Sequence, residues 1–218
     1  TEHLELVPGV RFQNDSDFGT HTAPKINTRY DLVRTDSLTG FLRAGVGAGY
    51  RVPNLKERYF TFDHSQLGYI VQGTPDLQPE ESVSYQFGGG LSWNRSIWLE
   101  ANAFLNDIEQ LIQTSPGAEA TQARNDGVQV FSYENLAEAR TWGFETTAGW
   151  EPSQHWRLTA GYTLTRTEEV ATGNELNRRP RHQARLGLDG PLLLAGLSWG
   201  ARLRYQSEEF VDAAAGPK

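Results

Sequence analysis

Apolar residues recur at every second position through most of this chain, a period that builds two-faced strands and does not build helices. Leu4, Leu6, Val10 and Phe12 take even positions, with Glu5 and Arg11 between them. Ile26, Thr28, Tyr30 and Leu32 alternate with Lys25, Asn27, Arg29 and Asp31. Leu42, Ala44, Val46, Ala48 and Tyr50 form an apolar face opposite Arg43, Gly45, Gly47 and Gly49. After a long interruption the pattern resumes at Val83, Tyr85, Phe87, Leu91 and Trp93. It continues through Ile97 to Leu105, from Gly127 to Trp150 with a bend near Leu136, from Trp156 to Leu164, from His182 to Leu188, and from Leu197 to Tyr205. About nine strands can be laid out in this way.

The connections have an order of their own. Tight turns are expected at Thr35 to Ser37, at Asn94-Arg95-Ser96, at Glu151 to Gln154 and at Asp189-Gly190-Pro191. Longer polar loops are expected at Asn14 to Ala23, Ser115 to Asp126 and Glu168 to Arg179, with the longest from Tyr50 to Ser82. In an antiparallel arrangement short turns then gather at one end and long loops at the other.

A soluble β-sandwich and a closed barrel both satisfy this alternation. Three features favour a membrane barrel. Turns and loops are asymmetric, as in barrels with brief turns on one side of a membrane and extended loops on the other. Trp93, Trp150, Trp156 and Trp199 lie near the short turns, while Phe12, Tyr50 and Tyr205 lie near the long loops, which gives two aromatic girdles. Arg29, Arg43, Glu100, Glu145 and Arg202 place charge at mid-strand on the other face, as a wet lumen allows. A mean hydropathy of -0.55 is compatible with such strands, which need no run of about 18 apolar residues.

Composition excludes several classes. The 218 residues include 22 glycines and 10 prolines and no cysteine, so disulfides, thiolate metal sites and cysteine nucleophiles are ruled out. A net charge of -7 argues against nucleic acid as a partner. The chain opens at Thr1 without a basic-then-apolar leader and holds no methionine, which suggests an internal piece of a longer protein.

Catalytic motifs are lacking, and no enzymatic step, cofactor or metal is expected. His3, His21, His64, His155 and His182 are scattered without ligand spacing. Asn14-Asp15-Ser16-Asp17 opens like a calcium loop, but the later ligands do not follow. Glu80 and Glu81 are neighbours on a strand and point to opposite faces. Gly45, Gly47 and Gly49 lack the spacing and the following helix of a nucleotide loop. With Gly88 and Gly90 they make a strip free of side chains on the polar face, and an antiparallel register can set Gly45 beside Gly88. Such a strip admits close approach of another backbone, or lets the wall bend.

The stretch from Tyr50 to Ser82 carries the candidate site. Long ordered loops on a β-scaffold are usually functional. Tyr59, Phe62, Asp63, His64 and Tyr69 cluster in its middle. Tyrosine and histidine can ligate iron, and aromatic faces pack against planar ligands, so an iron chelate or a haem fits these residues. A small self-packed aromatic core fits them too.

The flanks of this stretch resemble a known family. Tyr50-Arg51-Val52-Pro53, followed by Gly73-Thr74-Pro75-Asp76-Leu77-Gln78-Pro79-Glu80-Glu81-Ser82, is similar to the paired aromatic-Arg-x-Pro and Asn-Pro-x-Leu-x-Pro-Glu motifs of TonB-dependent outer-membrane receptors. Asn135 to Glu145, with Ala139 and Gly143-Phe144-Glu145, resembles a further strand motif, and Arg178-Arg179-Pro180-Arg181-His182 an Arg-x-Pro-x-His strand entry. Thr74 stands where the family usually has Asn, and Tyr50 and Val52 replace the commoner Phe and Ala.

The resemblance covers essentially the whole chain and implies an antiparallel transmembrane β-barrel of 22 strands, of which residues 1 to 218 are an interior slice. It implies an extracellular loop over 51 to 81, a plug domain and a TonB-contacting segment outside this slice, and a place in the lipid of the bacterial outer membrane. The implied cargo is an iron chelate, either a ferric siderophore or haem. Haem receptors of the family also hold a histidine between the two motifs, as His64 stands here. Tyr50, Arg51, Pro53, Pro75, Leu77, Pro79 and Glu80 then shape the loop, and Gly45, Gly47, Gly49, Gly88 and Gly90 face the plug. A passive porin-like barrel and a soluble β-sandwich binding module are the alternatives.

Overall fold

The structure is a computed structural model that describes residues 3–117, 121, 124, 126–176, 179–192 and 196–209. Nine long strands form one antiparallel sheet in sequence order: β1 (Leu4–Asp15), β2 (Gly19–Arg34), β3 (Leu38–Arg51), β6 (Glu80–Trp93), β7 (Ile97–Pro116), β8 (Gln129–Ser153), β9 (Trp156–Glu169), β10 (His182–Pro191) and β11 (Ser198–Gln206). Two short strands, β4 (Thr61–His64) and β5 (Tyr69–Gln72), and a one-turn helix α1 (Leu55–Tyr59) lie inside the connection between β3 and β6. Among the described residues no helix is long and apolar enough to cross a membrane.

Register sets the two faces. Arg29, Arg43, Gly88, Asn102, Glu145 and Thr163 lie in one cross-strand row of the polar face. Ala44, Phe87, Ala103, Phe144 and Leu164 lie in a row of the apolar face. That apolar face is uncovered: Phe12 is 71% exposed and Leu203 64%. A single sheet with its large apolar side chains turned to the medium is a membrane wall, since a sandwich would bury them against a second sheet. Trp93, Trp150, Trp156 and Trp199 sit at its short-turn end, with the rings of Trp156 and Trp199 edge to face at 6.0 Å.

Strand length shows what stands outside the bilayer. A tilted strand crosses with about 9–11 residues, whereas β7 has 20 and β8 has 25. Their loop-end halves project into water and carry a small core of their own, with Ile70, Leu77, Ile112, Val128, Val130 and Ala139 buried.

Several expected boundaries move. The polar run Asn14 to Ala23 is strand on both sides of a three-residue turn, with Asn14 opposite Thr20 and Asp15 opposite Gly19. Asp15 accepts the N–H groups of Asp17 and Phe18 and so closes that turn. Both faces are polar there because the hairpin has left the lipid. Asp189-Gly190-Pro191 is not a turn but the end of β10, paired with Gly200, Trp199 and Ser198. Gly190 is required beneath the Trp156 ring, where a Cβ would come within 2.6 Å. The reversal follows it, around Gly196 at φ +81°, where Leu192 N–H meets the Leu197 carbonyl. β8 likewise runs on through Glu151 to Ser153, past an irregularity after Trp150.

Candidate ligand-binding site

The connection between β3 and β6 is built by its own sequence signals. Asn54 and Glu57 make a reciprocal capping box that starts α1. At the base, Arg51 Nε and Nη2 donate to Glu80 at 2.6 and 2.7 Å, while Nη1 donates to both oxygens of Glu57 at 3.0 Å. Glu80 also accepts the Ile112 N–H at 2.8 Å, which ties the clamp to β7. Burial alone would raise the Glu80 carboxyl, yet the Arg51 and Ile112 hydrogen bonds outweigh it and hold the group below its ordinary range.

The exit segment lies along β8. Asn135 accepts from Gln78 N–H at 2.8 Å and donates to the Gln78 carbonyl at 2.9 Å, and Thr74 Oγ1 donates to the Tyr133 carbonyl at 2.6 Å. Leu77, between Pro75 and Pro79, is 2% exposed, and Pro53 is buried at the entry. Gly73 passes so close to α1 that a Cβ would stand 2.7 Å from the Tyr59 nitrogen. Two motifs far apart in sequence thus form one packed unit.

The middle is a hairpin and not an irregular loop. β4 and β5 pair antiparallel, with Phe62 opposite Val71 and His64 opposite Tyr69, around a 3-10 turn (Ser65–Leu67) and Gly68 at φ +86°. β5 then adds in parallel to β8, pairing Tyr69 to Gln72 with Gln129 to Ser132. It takes the stretch of β8 beyond Ala139, where pairing with β9 stops.

Lys56, Phe60, Phe62, Tyr69, Val71 and Tyr133 line a cavity of about 230 Å³ between α1, the hairpin and β8. Lys56 Nζ stands 5.9 Å from the Phe62 ring centroid, and Phe60 and Phe62 are 6.0 Å apart. Such a surface combines aromatic faces with one cation, a chemistry suited to an aromatic or planar anion.

The expected ligand residues divide. Phe62 and Tyr69 line the cavity. His64 meets the edge of Phe62 at 4.1 Å and Tyr69 at 5.3 Å, as part of the aromatic packing. Asp63 accepts the Ser65 N–H at 2.9 Å, and this bond lowers its carboxyl below the usual range. Tyr59 lies beside Arg58, whose guanidinium is 4.7 Å from its ring and 5.0 Å from Phe18. Arg58 also bonds Asp17 and the Pro75 carbonyl, tying the β1–β2 turn to α1. Sequence reasoning missed Lys56, Val71 and Tyr133. The capping box could have revealed the helix that carries Lys56; nothing local marks Tyr133.

The glycine strip differs from its expected register. Gly45 faces Gln86 and Gly88 faces Arg43, two residues from the pairing anticipated. The Cβ space at Gly45 is taken by Asn27, at Gly47 by Lys25, at Gly49 by Ser82 and at Gly90 by the Phe41 ring. The wall's own side chains lie across the strip. Of the remaining motif, Arg178 lies outside the described residues; Pro180 bridges to Glu209, Arg181 pairs with Glu175 at 2.6 Å, and His182 meets Tyr162 Oη at 2.8 Å. Among the described residues no three His, Cys, Asp or Glu side chains are placed to hold a metal ion.

A one-sheet wall with an uncovered apolar face, a polar inner face and an elaborated outer connection is part of an outer-membrane β-barrel. The family profile described as TonB dependent receptor-like, beta-barrel matches residues 1–217, and the chain belongs to that family. Its place is the bacterial outer membrane. The iron-regulated outer membrane virulence protein of Vibrio cholerae (O395) is 29% identical over 216 residues, covering 95% of this chain and 32% of its own length. The ferrienterobactin receptor of Escherichia coli K12 is 27% identical over 214 residues, covering 93% of this chain and 26% of its own. The chain therefore spans about a third or less of these relatives. Among solved structures, the ferric enterobactin receptor PfeA of Pseudomonas aeruginosa superposes with a TM-score of 0.71 at 22% identity, over 96% of this chain and 31% of its own. The siderophore receptor PirA of Acinetobacter baumannii does so at 0.67 and 22%, over 99% and 34%.

Proposed function

We propose that this chain is the later part of the barrel of a TonB-dependent importer of a ferric siderophore, a transporter with no enzymatic step. The aromatic cavity with Lys56, held over the wall by the Arg51 clamp, carries this reading. It offers stacking surface and a positive charge at the outer end of the wall, where a bulky anionic chelate arrives first. The names of the V. cholerae and E. coli relatives support iron as the cargo. A plug elsewhere in the same polypeptide fills the lumen and meets TonB, and outer-membrane lipid surrounds the wall. Haem is the second cargo to test, because His64 stands in the aromatic cluster.

Growth of a deletion strain on a panel of iron sources, with cobalamin as a control, tests the proposal. Lost growth on one ferric siderophore, restored by the intact gene, is the expected result. Unchanged growth on every iron source, with free passage of small solutes through the purified full-length protein, would show a passive porin instead.

A further inference from the structure

The apolar face holds an open groove of about 620 Å³ at its short-turn end, a size usual for a small-molecule site. Ala148 and Ala160 lie directly opposite each other on β8 and β9 and make its floor, with Leu99 of β7 on one side and Leu186 of β10 on the other. Trp150 and Leu158 stand next in register toward the turns, at the level of the tryptophan girdle. The floor therefore has walls of this chain on both sides.

The turn between β6 and β7 supplies a charge beside this groove. Arg95 is exposed, and among the described residues it has no ion pair or side-chain hydrogen bond. Both flanking turns are present: Asn94 N–H meets the Ser37 carbonyl at 2.6 Å, and Glu151 N–H meets the Ser96 carbonyl at 2.6 Å. On one side Arg34 and Asp36 carry one charge of each sign; on the other Glu151 is taken up by Arg157 at 2.7 Å, beside His155. Arg95 is the cation that this stretch of rim leaves over. It sits at φ +58°, after Asn94 at +49°, in a hairpin turn whose second central place favours glycine, so a cation is held there against backbone strain. Ile97, at the groove's edge, is two residues on, about 7 Å along the strand.

We propose that the groove and Arg95 bind one anionic glycerophospholipid of the periplasmic leaflet, an acyl chain lying on Ala148 and Ala160 and the phosphate meeting the guanidinium. Short turns mark the periplasmic side of such a barrel. The groove continues a face that already meets lipid, and a single acyl chain is thin enough to reach its floor. A second copy of this chain would bring another outward-curved wall, which rests on Leu99 and Leu186 and spans the floor without filling it. An acyl chain alone selects no headgroup. Arg95 adds a preference for net negative charge, because a zwitterionic headgroup brings its own cation to the phosphate. The inference rests on the barrel wall and is independent of the cargo proposed above.

The test is native mass spectrometry of the full-length receptor in detergent, titrated with phosphatidylglycerol or with phosphatidylethanolamine of the same chains. Wild type takes up one phosphatidylglycerol with a Kd about tenfold below that for phosphatidylethanolamine, the scale of one charge-assisted contact. R95Q binds both lipids equally, at the phosphatidylethanolamine level. A148L/A160L fills the floor and weakens both about tenfold. A103L, on the same face between Phe87 and Phe144 and outside the groove, follows wild type. Heat-modifiable migration confirms an intact barrel in each variant, and L99A/L186A, which removes the walls, replaces A148L/A160L if that variant does not assemble. Equal affinity of wild type for the two lipids overturns the inference, as does an unchanged phosphatidylglycerol Kd in R95Q or in the groove variant. A wild-type dimer that the groove variant converts to monomer also overturns it, in favour of a second copy seated on this face.

Discussion

The guanidinium of Arg51 holds Glu80 through two hydrogen bonds, of 2.6 and 2.7 Å, across the 29 positions that separate them. That pair closes the base of the connection between β3 and β6, and Glu57 and the Ile112 N–H extend it to α1 and to β7. Replacing Glu80 by Ala leaves Arg51 with Glu57 alone and strands the Ile112 N–H. The expected cost is about 1–2 kcal/mol, at the modest end because the Arg51 side chain is 42% exposed and partly screened. Limited proteolysis of the full-length receptor in detergent should show faster cutting within 52–79 while the barrel still migrates as folded. Unchanged cutting would remove the clamp from the account.

The same carboxylate gives a pH dependence of definite sign. Glu80 is depressed in the folded state, so its contribution is complete above its ordinary value of 4.5 and is lost as pH falls through the lower folded value. Asp17, lowered by its hydrogen bond and charge contact with Arg58, has the same sign. Loop protease resistance should hold from neutral pH down to the ordinary carboxylate range and collapse below it. In Glu80→Gln that acid-side step should shrink. A step equal to that of wild type would assign it to other carboxylates.

The cavity predicts a graded loss of affinity. Phe62→Ala removes the ring that Lys56 and Phe60 approach, and should raise the Kd for the cargo siderophore roughly tenfold. Lys56→Gln should raise it about threefold, and more at low salt. His64→Ala should leave siderophore binding nearly unchanged if the ring only packs on Phe62 and Tyr69. A selective loss of haem-dependent growth in that variant would instead assign His64 as a haem ligand. Titration of the intact receptor with each chelate measures all three.

Much of the wall was legible because alternation is a local property. Glu100 and Glu145 announce their face by parity alone, and β-register carries the rest. The loop was less legible for two physical reasons. Four-residue strands such as Thr61–His64 are too short to show a period, and β5 finds its partner in β8, almost sixty residues later. Tyr133 enters the cavity only through that pairing. The turn-like triplet Asp189-Gly190-Pro191 misled because Gly190 answers a packing need, the Trp156 ring, and not a backbone reversal.

Glycines of the inner face should divide into two groups. A Cβ at Gly143 would overlap the Leu164 carbonyl oxygen, whereas one at Gly47 meets Lys25 Cβ at 3.1 Å and backbone atoms only at ordinary contact distance. Gly143→Ala should cost about 1–3 kcal/mol and reduce the assembled fraction. Gly47→Ala should assemble normally. Gly47→Trp then asks what lies across the lumen: assembly with lost transport means that the plug approaches this strip, and full transport means that it does not.

The lipid-facing assignment makes the last prediction. Phe87 is 60% exposed on the apolar face, near the middle of the Val83 to Trp93 stretch that runs to the tryptophan girdle. Ser84 lies on the same strand on the inner face, opposite Gly47 and Asn106. Phe87→Arg puts a charge near the bilayer midplane and should destabilise the folded barrel by about 2–4 kcal/mol. Ser84→Arg places its charge on the polar inner face, away from lipid, and should cost far less. Refolding of the full-length receptor into lipid vesicles across a urea series, read by heat-modifiable migration, compares the two directly. Equal losses would mean that both faces meet the same medium, which no single-sheet barrel wall allows.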